Sequence, residues 1–473
     1  MNRHDQDVSG EDERAPLPLA GVRVVDFSWI VAGPQATRIL ADFGADVVRV
    51  EYAGRVDSIR IGLISPGTPP GSLNASGFFN NLSRNKRSVT LNMNDPRGLQ
   101  AIQQLLAVSD IVIENYSAGV MEAKGLSYEA MAAINPAIIY LSLSGFGHLG
   151  RDRDNITWGP TAQAVSGLTH MSGLPGRPPA GWGFSYLDHT AGYYGALAAL
   201  FALYHRAHSG RGQYVDISQI ETGMVLAGPA ILDRSVNDRP YRRPGNPPGN
   251  RSSYPAVAPH NTYPCHGPGG PPSVAEGRAS QTTPGGPSSV AEGRASQTAP
   301  GGPSSVAEGR ASQTSDDRWI TIVAEDDRQW ASLVEAMGSP EWARGNKFSS
   351  NRERLRNQDE LDEYIGGWTR AYDPIDLMLL LQAKGIPAGA VQTIADRMER
   401  DPQLAFRGFY PEADHGELGR HRFEGEPLSM SRATWRVERG APLIGEHNDA
   451  VLGDLLGLTE GEVSELTLEA SAV

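Results

Sequence analysis

The sequence predicts an α/β fold, with a parallel sheet and flanking helices in a larger domain and a smaller α+β domain after it. Two observations lead to this class. Residues 20–145 alternate short β-branched runs with helical patterns, which is typical of β-α-β units. Beyond residue 317, a strand pattern is followed by several helical patterns and one further short strand pattern. The chain is therefore expected to contain two domains.

The strands of the first region are predicted at the β-branched runs 22–27, 46–51, 110–115 and 138–143. The helix between the first two begins near Pro34, a residue that suits the first helical turn. The turn ahead of this helix, SWIVAGP, lacks the GxGxxG spacing that brings a pyrophosphate onto a helix end. A dinucleotide-dependent enzyme is therefore disfavoured.

A carboxylate stands directly ahead of an apolar run in residues 183–192 (GFSYLDHTAG). The predicted helix continues to about Leu203, and a strand at 213–218 and a helix to about residue 232 follow. Because Asp is a favoured N-cap residue, Asp188 either caps this helix or reacts with a substrate. The residue types alone leave both interpretations open.

The amino-acid composition changes in the middle of the chain. Residues 236–268 are rich in Pro, Gly and Asn and predict a linker and loop, while residues 269–316 are three tandem copies of a sixteen-residue repeat. Each copy offers too little apolar side chain to offset the entropy of ordering it, so the repeats are interpreted as a low-complexity surface insertion. The polar, acidic residues 1–15 are expected to form a disordered tail.

The smaller domain is predicted at residues 317–400. Its first strand pattern, 318–323, continues a strand pattern at 261–265 that the insertion interrupts. Helical patterns and a short strand pattern follow, and an amphipathic helix at 449–456 closes the fold. These helical patterns cover residues 326–337, 353–371 and 374–384, and the strand pattern ends at Val391.

Composition excludes several classes of function. The formal net charge of -13 and the pI near 5.4 argue against a surface for nucleic acid or for anionic membranes. The single cysteine, Cys265, excludes an internal disulfide and a CxxC metal site, so a reducing compartment, the cytoplasm, is expected. No apolar stretch reaches the ~18 residues of a membrane span, and the first fifteen residues contain no signal core.

A set of short motifs resembles the class III CoA-transferases, the family of formyl-CoA and carnitine CoA-transferases that also includes α-methylacyl-CoA racemase. The motifs occur in the family's order and span nearly all of the chain outside the tail and the insertion. They are PLAGVRVVD (18–26), AGP (32–34), GADVVRVE (44–51), NKRS (85–88), ENY (114–116), SGFG (144–147), GRGQ (210–213) and PLIGEH (442–447).

The resemblance implies a Rossmann-like large domain with its parallel sheet built from both chain ends, here residues 16–235 and 401–473, around the small domain. It also implies an interlocked homodimer whose substrates are an acyl-CoA and a carboxylic acid. CoA enters as a thioester substrate, and the chemistry requires no metal and no tightly bound cofactor.

The nucleophilic aspartate of the family falls on Asp188. A carboxylate can accept an acyl group from a thioester as a mixed anhydride, and the freed CoA thiolate can then attack the aspartyl carbonyl. A helix N-terminus stabilises the charged carboxylate, so the cap and the nucleophile can coexist. His189, its neighbour, is interpreted as a spectator because an ionised carboxylate needs no base.

The CoA phosphates require cations, and the chain contains only four lysines. Surface ion pairing is the alternative for each of the candidate cations, for example with Glu51. Lys124 stands where the family often has an arginine. By analogy with the family, the backbone near Ser28 supplies the adenine-side wall. The expected CoA-binding residues are Ser28, Trp29, Ile30, Val31, Arg49, Arg60, Lys86, Arg87 and Lys124.

Three alternatives to acyl transfer remain. A racemase would need a His-Asp pair upstream of Asp188, but residues 154–160 read DNITWGP, and His148 stands too early. The chain could also be a non-catalytic subunit of a heteromeric transferase, or a CoA-binding regulatory module. The formyl-CoA transferase Tyr-Glu pair is absent near Trp158, so oxalate is not expected as acceptor, and succinyl-CoA is a candidate donor. Arg251 is a candidate for the acceptor carboxylate.

Overall fold

The computed structural model describes residues 16–62, 68, 71–183, 185–266 and 318–471. The predicted tail at 1–15 and the tandem repeats at 269–316 lie outside these described residues. The chain divides into two compact units. The larger unit combines the residues that precede the smaller unit in the sequence with those that follow it. The larger unit is Met1–Pro247 with Ile394–Val473, and the smaller is Pro248–Thr393.

A six-stranded parallel sheet forms the centre of the larger unit, which confirms the predicted α/β class. The strand order is β3-β2-β1-β4-β5-β6, so the order reverses between β1 and β4, and ligands of such sheets bind at this reversal beyond the carboxyl ends of the strands. The strands are β1 (Arg23–Asp26), β2 (Asp46–Glu51), β3 (Arg87–Thr90), β4 (Ile111–Glu114), β5 (Ile139–Ser144) and β6 (Tyr214–Ser218).

Both faces of this sheet are buried, because successive β-branched residues point to opposite sides. Val25 and Val48 belong to one apolar core, whereas Val24 and Val47 belong to the other. Helices cover the two faces. Those of the N-terminal part are α1 (Ala32–Asp42), α2 (Gly77–Ser83), α3 (Pro96–Ala107), α4 (Val120–Ala123), α5 (Tyr128–Ile134), α6 (Gly159–Val165), α7 (Leu168–Met171), α8 (Tyr186–Ser209), α9 (Gln219–Leu226) and α10 (Gly228–Asn237).

The smaller unit contains a three-stranded antiparallel sheet in the order β7-β8-β9. Strand β7 lies within the segment that was assigned to linker and loop, and it pairs with β8 across the insertion. The helical pattern predicted at 353–371 is divided at Asn357 into two helices. The elements are β7 (His260–Cys265), β8 (Arg318–Val323), α11 (Asp327–Ala336), α12 (Glu341–Arg344), α13 (Asn351–Arg356), α14 (Gln358–Thr369), α15 (Pro374–Ala383) and β9 (Ala388–Val391).

The C-terminal segment returns to the larger unit, but its described residues add no strand to the parallel sheet. This corrects the expectation that both chain ends build that sheet, since its six strands all lie between residues 23 and 218. The segment contributes instead a hairpin, helices and core side chains such as Val451 and Leu452. Its elements are α16 (Ile394–Glu399), α17 (Pro402–Phe406), β10 (Glu412–His415), β11 (Gly419–Arg422), a π-helical segment (Asp449–Leu455) and α18 (Glu460–Ser471).

Within the described part of the chain, no helix is both long and apolar enough to cross a membrane.

Candidate active site

A cavity of about 640 Å³ lies at the carboxyl edge of the parallel sheet in the larger unit. Loops that follow β1, β4 and β5 line it, together with the first turns of α1, α6, α8 and α9. First-turn residues of four helices therefore line one cavity. The positive end of a helix dipole favours a negatively charged ligand. The lining includes residues 29–32, 115–117, 144–145 and 155–160, together with Ser185, Asp188 and Gln219.

Asp188 is half-buried on the cavity wall, in the first turn of α8. The N-cap of that helix is Ser185, in a left-handed conformation with φ 43°, and Asp188 is the third helical residue. The interpretation of Asp188 as the cap is therefore corrected. Burial raises the pKa of the Asp188 carboxyl, and hydrogen bonding from the Ser185 and Gln219 side chains opposes part of that rise.

Two glycines on the wall of this cavity lie close against neighbouring side chains. A Cβ atom on Gly159 would lie 2.7 Å from Oδ2 of Asp188, and one on Gly145 would lie 1.8 Å from Oγ1 of Thr157. Neither position tolerates a side chain without displacement of its neighbour. The Trp158-Gly159-Pro160 motif was visible in the sequence, but its closeness to Asp188 depends on the folded structure.

The loop after β1 is held in a strained conformation. Ile30 has φ 64°, which is rare for a β-branched residue, and its N–H donates to Oδ2 of Asp57 at 3.0 Å. The Asn115 amide accepts from the N–H of Trp29 at 2.7 Å and donates to its carbonyl at 2.8 Å. These contacts place Trp29, Ile30 and Val31 on the cavity wall.

Ser28, the fourth residue expected in this wall, is buried and faces the sheet. Its N–H donates to Oδ1 of Asp26 at 2.9 Å, and its hydroxyl hydrogen-bonds the same carboxylate. Ser28 therefore belongs to the core beneath the loop.

Three of the expected phosphate-binding cations lie in a buried ion network. Arg49 pairs with Asp57 at 2.7 Å, and Lys86 pairs with Asp26 at 3.0 Å. Arg60 reaches both carboxylate oxygens of Glu51, at 2.8 and 2.6 Å. The exposed fractions of these three basic residues are 1% or less. They are corrected to structural residues, because each satisfies a buried carboxylate.

Arg87 is half-buried and pairs with Asp46 at 3.0 Å. It is absent from the lining of both cavities that are described here. The surface ion-pair alternative therefore accounts for Arg87.

A second cavity of about 310 Å³ adjoins the first and shares Trp29, Arg55 and Tyr116 with it. Lys124, an expected CoA-binding residue, lies on its wall and hydrogen-bonds Asn94. Arg55 lines both cavities and stacks over the Trp29 ring at 5.3 Å. Among the described residues, Arg55 has no carboxylate partner. Arg55 was not among the expected CoA-binding residues, because nothing in its local sequence distinguishes it from Arg49 or Arg60.

His148, Asp154 and His189, the other candidates for proton transfer, do not line the cavity that contains Asp188. Among the described residues that line it, Asp188 is the only carboxylate and no histidine is present. Asp154 is exposed and pairs with Arg153 at 3.5 Å, and Nε2 of His148 lies 3.2 Å from the carbonyl of Tyr116. Nδ1 of His189 lies 3.1 Å from Oε1 of Gln35, and burial lowers the pKa of His189.

Arg251 lies in the smaller unit and is already paired. Its guanidinium contacts Asp359 at 2.7 Å and Asp362 at 2.5 Å, both on α14. These two carboxylates neutralise the cation that was considered for an acceptor acid.

Comparison with known proteins relates this arrangement to one family. The sequence profile of CoA-transferase family III matches residues 19–269 and 273–448. A succinyl-CoA–D-citramalate CoA-transferase from Chloroflexus aurantiacus is 31% identical over 457 residues, 96% of this chain and 98% of that protein. A formyl-CoA:oxalate CoA-transferase from Rhodopseudomonas palustris is 30% identical, with 95% and 96% covered.

A solved structure also matches. The crystal structure of a CAIB/BAIF family protein from Brucella suis aligns with a TM-score of 0.74 and 26% identity, over 93% of this chain and all of that chain.

Proposed function

The chain belongs to CoA-transferase family III and is a CoA-transferase, and from this premise we propose that it moves CoA from an acyl-CoA donor to a carboxylic acid through covalent intermediates on Asp188. The observation that carries the proposal is the placement of Asp188. It is the sole carboxylate among the described residues that line the larger cavity, and it lies between helix N-termini.

The proposed reaction has two symmetrical halves. An Asp188 oxygen attacks the thioester carbonyl, the C–S bond breaks, and a mixed anhydride and CoA thiolate form. The thiolate then attacks the aspartyl carbonyl, so the donor acid leaves as a carboxylate and an aspartyl-CoA thioester remains. The acceptor carboxylate repeats both steps in reverse and restores Asp188. Each step exchanges one acyl group, so the protein contributes mainly positioning and exclusion of water.

The two adjoining cavities support a specific placement of CoA. We place the thioester end beside Asp188 in the larger cavity and the phosphates in the smaller one, near Arg55 and Lys124. The Trp29 and Tyr116 rings lie at the junction and offer aromatic surface to the pantetheine arm or the adenine. Both cations are available because neither is held by a carboxylate of the described residues.

The donor is proposed to be succinyl-CoA. The relative from Chloroflexus is named for this donor, and Arg153 supplies a cation on the wall of the Asp188 cavity. Its exposed pairing with Asp154 at 3.5 Å is weak enough to yield to the free carboxylate of a succinyl group. Arg153→Leu should raise KM about 10-fold for succinyl-CoA and leave KM for acetyl-CoA unchanged. Arg151→Leu, an exposed neighbour paired with Asp152, is the matched control.

The decisive experiment follows the mass of the peptide that contains Asp188. The protein is incubated with succinyl-, acetyl-, aromatic and branched acyl-CoAs and trapped with hydroxylamine, and then the acceptor acids, oxalate included, are supplied. We expect a hydroxamate on Asp188 with at least one donor, and no modification in Asp188→Ala. Asp154→Asn serves as the control that keeps the adduct. A wild-type protein that gains no adduct with any donor would refute the proposal.

The same samples decide between this function and its alternatives. A racemase would exchange the α-proton of a branched acyl-CoA with deuterated solvent and would transfer no CoA. A non-catalytic subunit or a regulatory module would show the same activity, or the same absence of it, before and after Asp188→Ala. CoA transfer that depends on Asp188 contradicts all three.

We propose a homodimer as the working form. In the larger unit, the outward side of α8 and the helices after it expose an unusual number of large apolar side chains, which is typical of a protein interface. Leu200→Glu should shift the sedimentation coefficient to that of a monomer, whereas Val108→Glu, also exposed, should not. A second, related chain in the purified particle would support the heteromer. The exposed large apolar residues of α8 are Tyr186, Tyr193, Tyr194, Leu197, Leu200, Phe201 and Tyr204.

A further inference from the structure

Two neutral side chains, those of Ser144 and Gln219, share the cavity with Asp188. Ser144 is the last residue of β5, and it pairs in register with Ser218, the last residue of β6. Gln219 follows at once as the first residue of α9. Since adjacent strands lie ~5 Å apart, Ser144 and Gln219 emerge side by side at the carboxyl edge of the sheet. Both line the cavity that contains Asp188.

The backbone around this pair is fixed. The Gly145 carbonyl accepts from the Ser218 hydroxyl and from the N–H of Ile220, both at 3.1 Å. The Ser218 hydroxyl also accepts from the N–H of Glu221 at 3.2 Å and so caps α9. The end of β5 and the first turn of α9 are therefore tied together, and thermal motion cannot easily separate the two side chains.

The Ser144 hydroxyl makes no hydrogen bond to the part of the protein that the structure describes. Its oxygen lies just below the cavity surface, so a turn about the Cα–Cβ bond brings it to a ligand without the loss of a hydrogen bond. Gln219 is 7% exposed, and its side chain hydrogen-bonds the Asp188 carboxylate. A buried polar group without a partner is costly, and a substrate oxygen that accepts from Ser144 would satisfy it.

We propose that the Gln219 amide and the Ser144 hydroxyl donate hydrogen bonds to the oxyanions that form on the Asp188 carbonyl and on the acyl carbonyl during CoA exchange. This inference rests on the proposed function and names catalytic residues for it. When CoA thiolate attacks the aspartyl carbonyl, the C–S bond forms and the C=O electron pair moves to oxygen. Collapse of that oxyanion expels the acyl carboxylate. The Gln219 amide already hydrogen-bonds the carboxylate, so it meets this charge with little reorganisation.

Neutral donors suit this position better than cations. A cation beside Asp188 would hold the resting carboxylate by charge and weaken its attack, whereas an amide and a hydroxyl stabilise an oxyanion without such a pair. The two glycines, 145 and 159, keep side chains away from the same edge. The cations of the cavity are therefore left for CoA and for the substrate's own carboxylate.

The test compares Gln219→Leu, Ser144→Ala and the double variant with Gln163→Leu. Gln163 is also buried, on α6, but it does not line the cavity. Loss of one oxyanion donor should lower kcat about 100-fold for Gln219→Leu and about 10-fold for Ser144→Ala, with KM for acyl-CoA unchanged. Gln163→Leu should keep kcat within about 3-fold of wild type by the same comparison.

The pH profile separates catalysis from mere packing. Gln219 favours the charged form of Asp188, so its removal should move the acid limb of kcat/KM to higher pH, and a purely structural role would not. Gln219→Glu, nearly isosteric, should lose at least as much activity and covers the case that the leucine variant fails to fold. If the wild type forms the Asp188 adduct and both variants keep wild-type kcat and acid limb, this inference is wrong while the proposed function stands. If the wild type forms no adduct, the proposed function itself fails.

Discussion

Carboxylates at the carboxyl edge of the parallel sheet have two different electrostatic surroundings. Some are paired with buried cations, whereas Asp188 is not. Asp26 and Glu51 end β1 and β2 inside the ion network, where Lys86, Arg49 and Arg60 outweigh the effect of burial and lower the pKa of both carboxylates, that of Glu51 to about 2. Among the described residues, no cation pairs with Asp188, and burial raises the pKa of its carboxyl.

Carboxylates at one edge of the same sheet can therefore have either a structural or a chemical role. A buried carboxylate that is matched by a cation is held in its charged form and stabilises the fold only as a pair. A carboxylate that faces a cavity and is not paired with a cation remains available to react and contributes little to stability. The predictions below test whether the two sets differ in this way.

The largest effect is expected at Asp188. Asp188→Asn should lower CoA-transfer activity at least ~10⁴-fold, because it removes the nucleophile of both half-reactions. Its free energy of unfolding at pH 7 should stay equal to that of the wild type or increase, since the raised pKa means that folding disfavours the charged carboxylate. Kinetics and urea unfolding measure the two quantities. A large loss of stability would place Asp188 with the structural set.

Lys86 tests the other set. Lys86→Met leaves Asp26 buried without its ammonium partner and should reduce the free energy of unfolding by about 3–5 kcal/mol. The same substitution at Lys124, on the wall of the smaller cavity, should leave stability within ~0.5 kcal/mol of wild type. Urea unfolding of both variants checks this, and equal stabilities would contradict the division between core and cavity cations.

Gly159 tests the space beside Asp188. Gly159→Ala would place a Cβ atom 2.7 Å from Oδ2, so the carboxylate must move, and kcat should fall about 100-fold. Gly228→Ala, at the first residue of α10 where a Cβ meets no atom within 4 Å, should leave kcat unchanged. Steady-state kinetics compare them. A fully active Gly159→Ala variant would mean that the carboxylate is not held against this glycine.

The smallest effect is expected at the cavity cations. Arg55→Gln and Lys124→Gln should each raise KM for acyl-CoA about 10-fold with kcat unchanged, because they remove uniform binding of the phosphates. Arg87→Gln, whose guanidinium pairs with Asp46, should change neither constant. The increase in KM should shrink at high salt. If KM is unchanged in both cavity variants, the CoA phosphates do not bind at Arg55 and Lys124.

Local pattern was enough to predict much of the fold. Five of the six parallel strands correspond to β-branched runs found in the sequence, since a strand buried on both faces must be apolar at successive positions. Strand β3 was missed because three of its four residues are polar and it begins inside the basic motif at 85–88. The division of the helix at Asn357 also lacked a signal, since neither glycine nor proline stands there.

The candidate site could be predicted only in part. Asp188 and residues 29–31 were predicted as site residues from the family motifs, and they line one cavity. The division of the cations was not predictable, because Lys86 meets Asp26 sixty residues away in sequence. Gln219 and Ser144 were missed for the same reason, as their closeness to Asp188 depends on β-strand register and on the packing of α8 with α9.

By itself, the sequence determined the α/β class and the family, and it singled out Asp188 as the proposed nucleophile. These rest on hydrophobic periodicity and on motif order, which local residues carry. The tertiary structure decided that Asp188 is the third residue of its helix and lies against Gly159. It also decided which cations are neutralised in the core and which face the cavity. Charge partners and close contacts join residues far apart in the chain, and only folding specifies those distances.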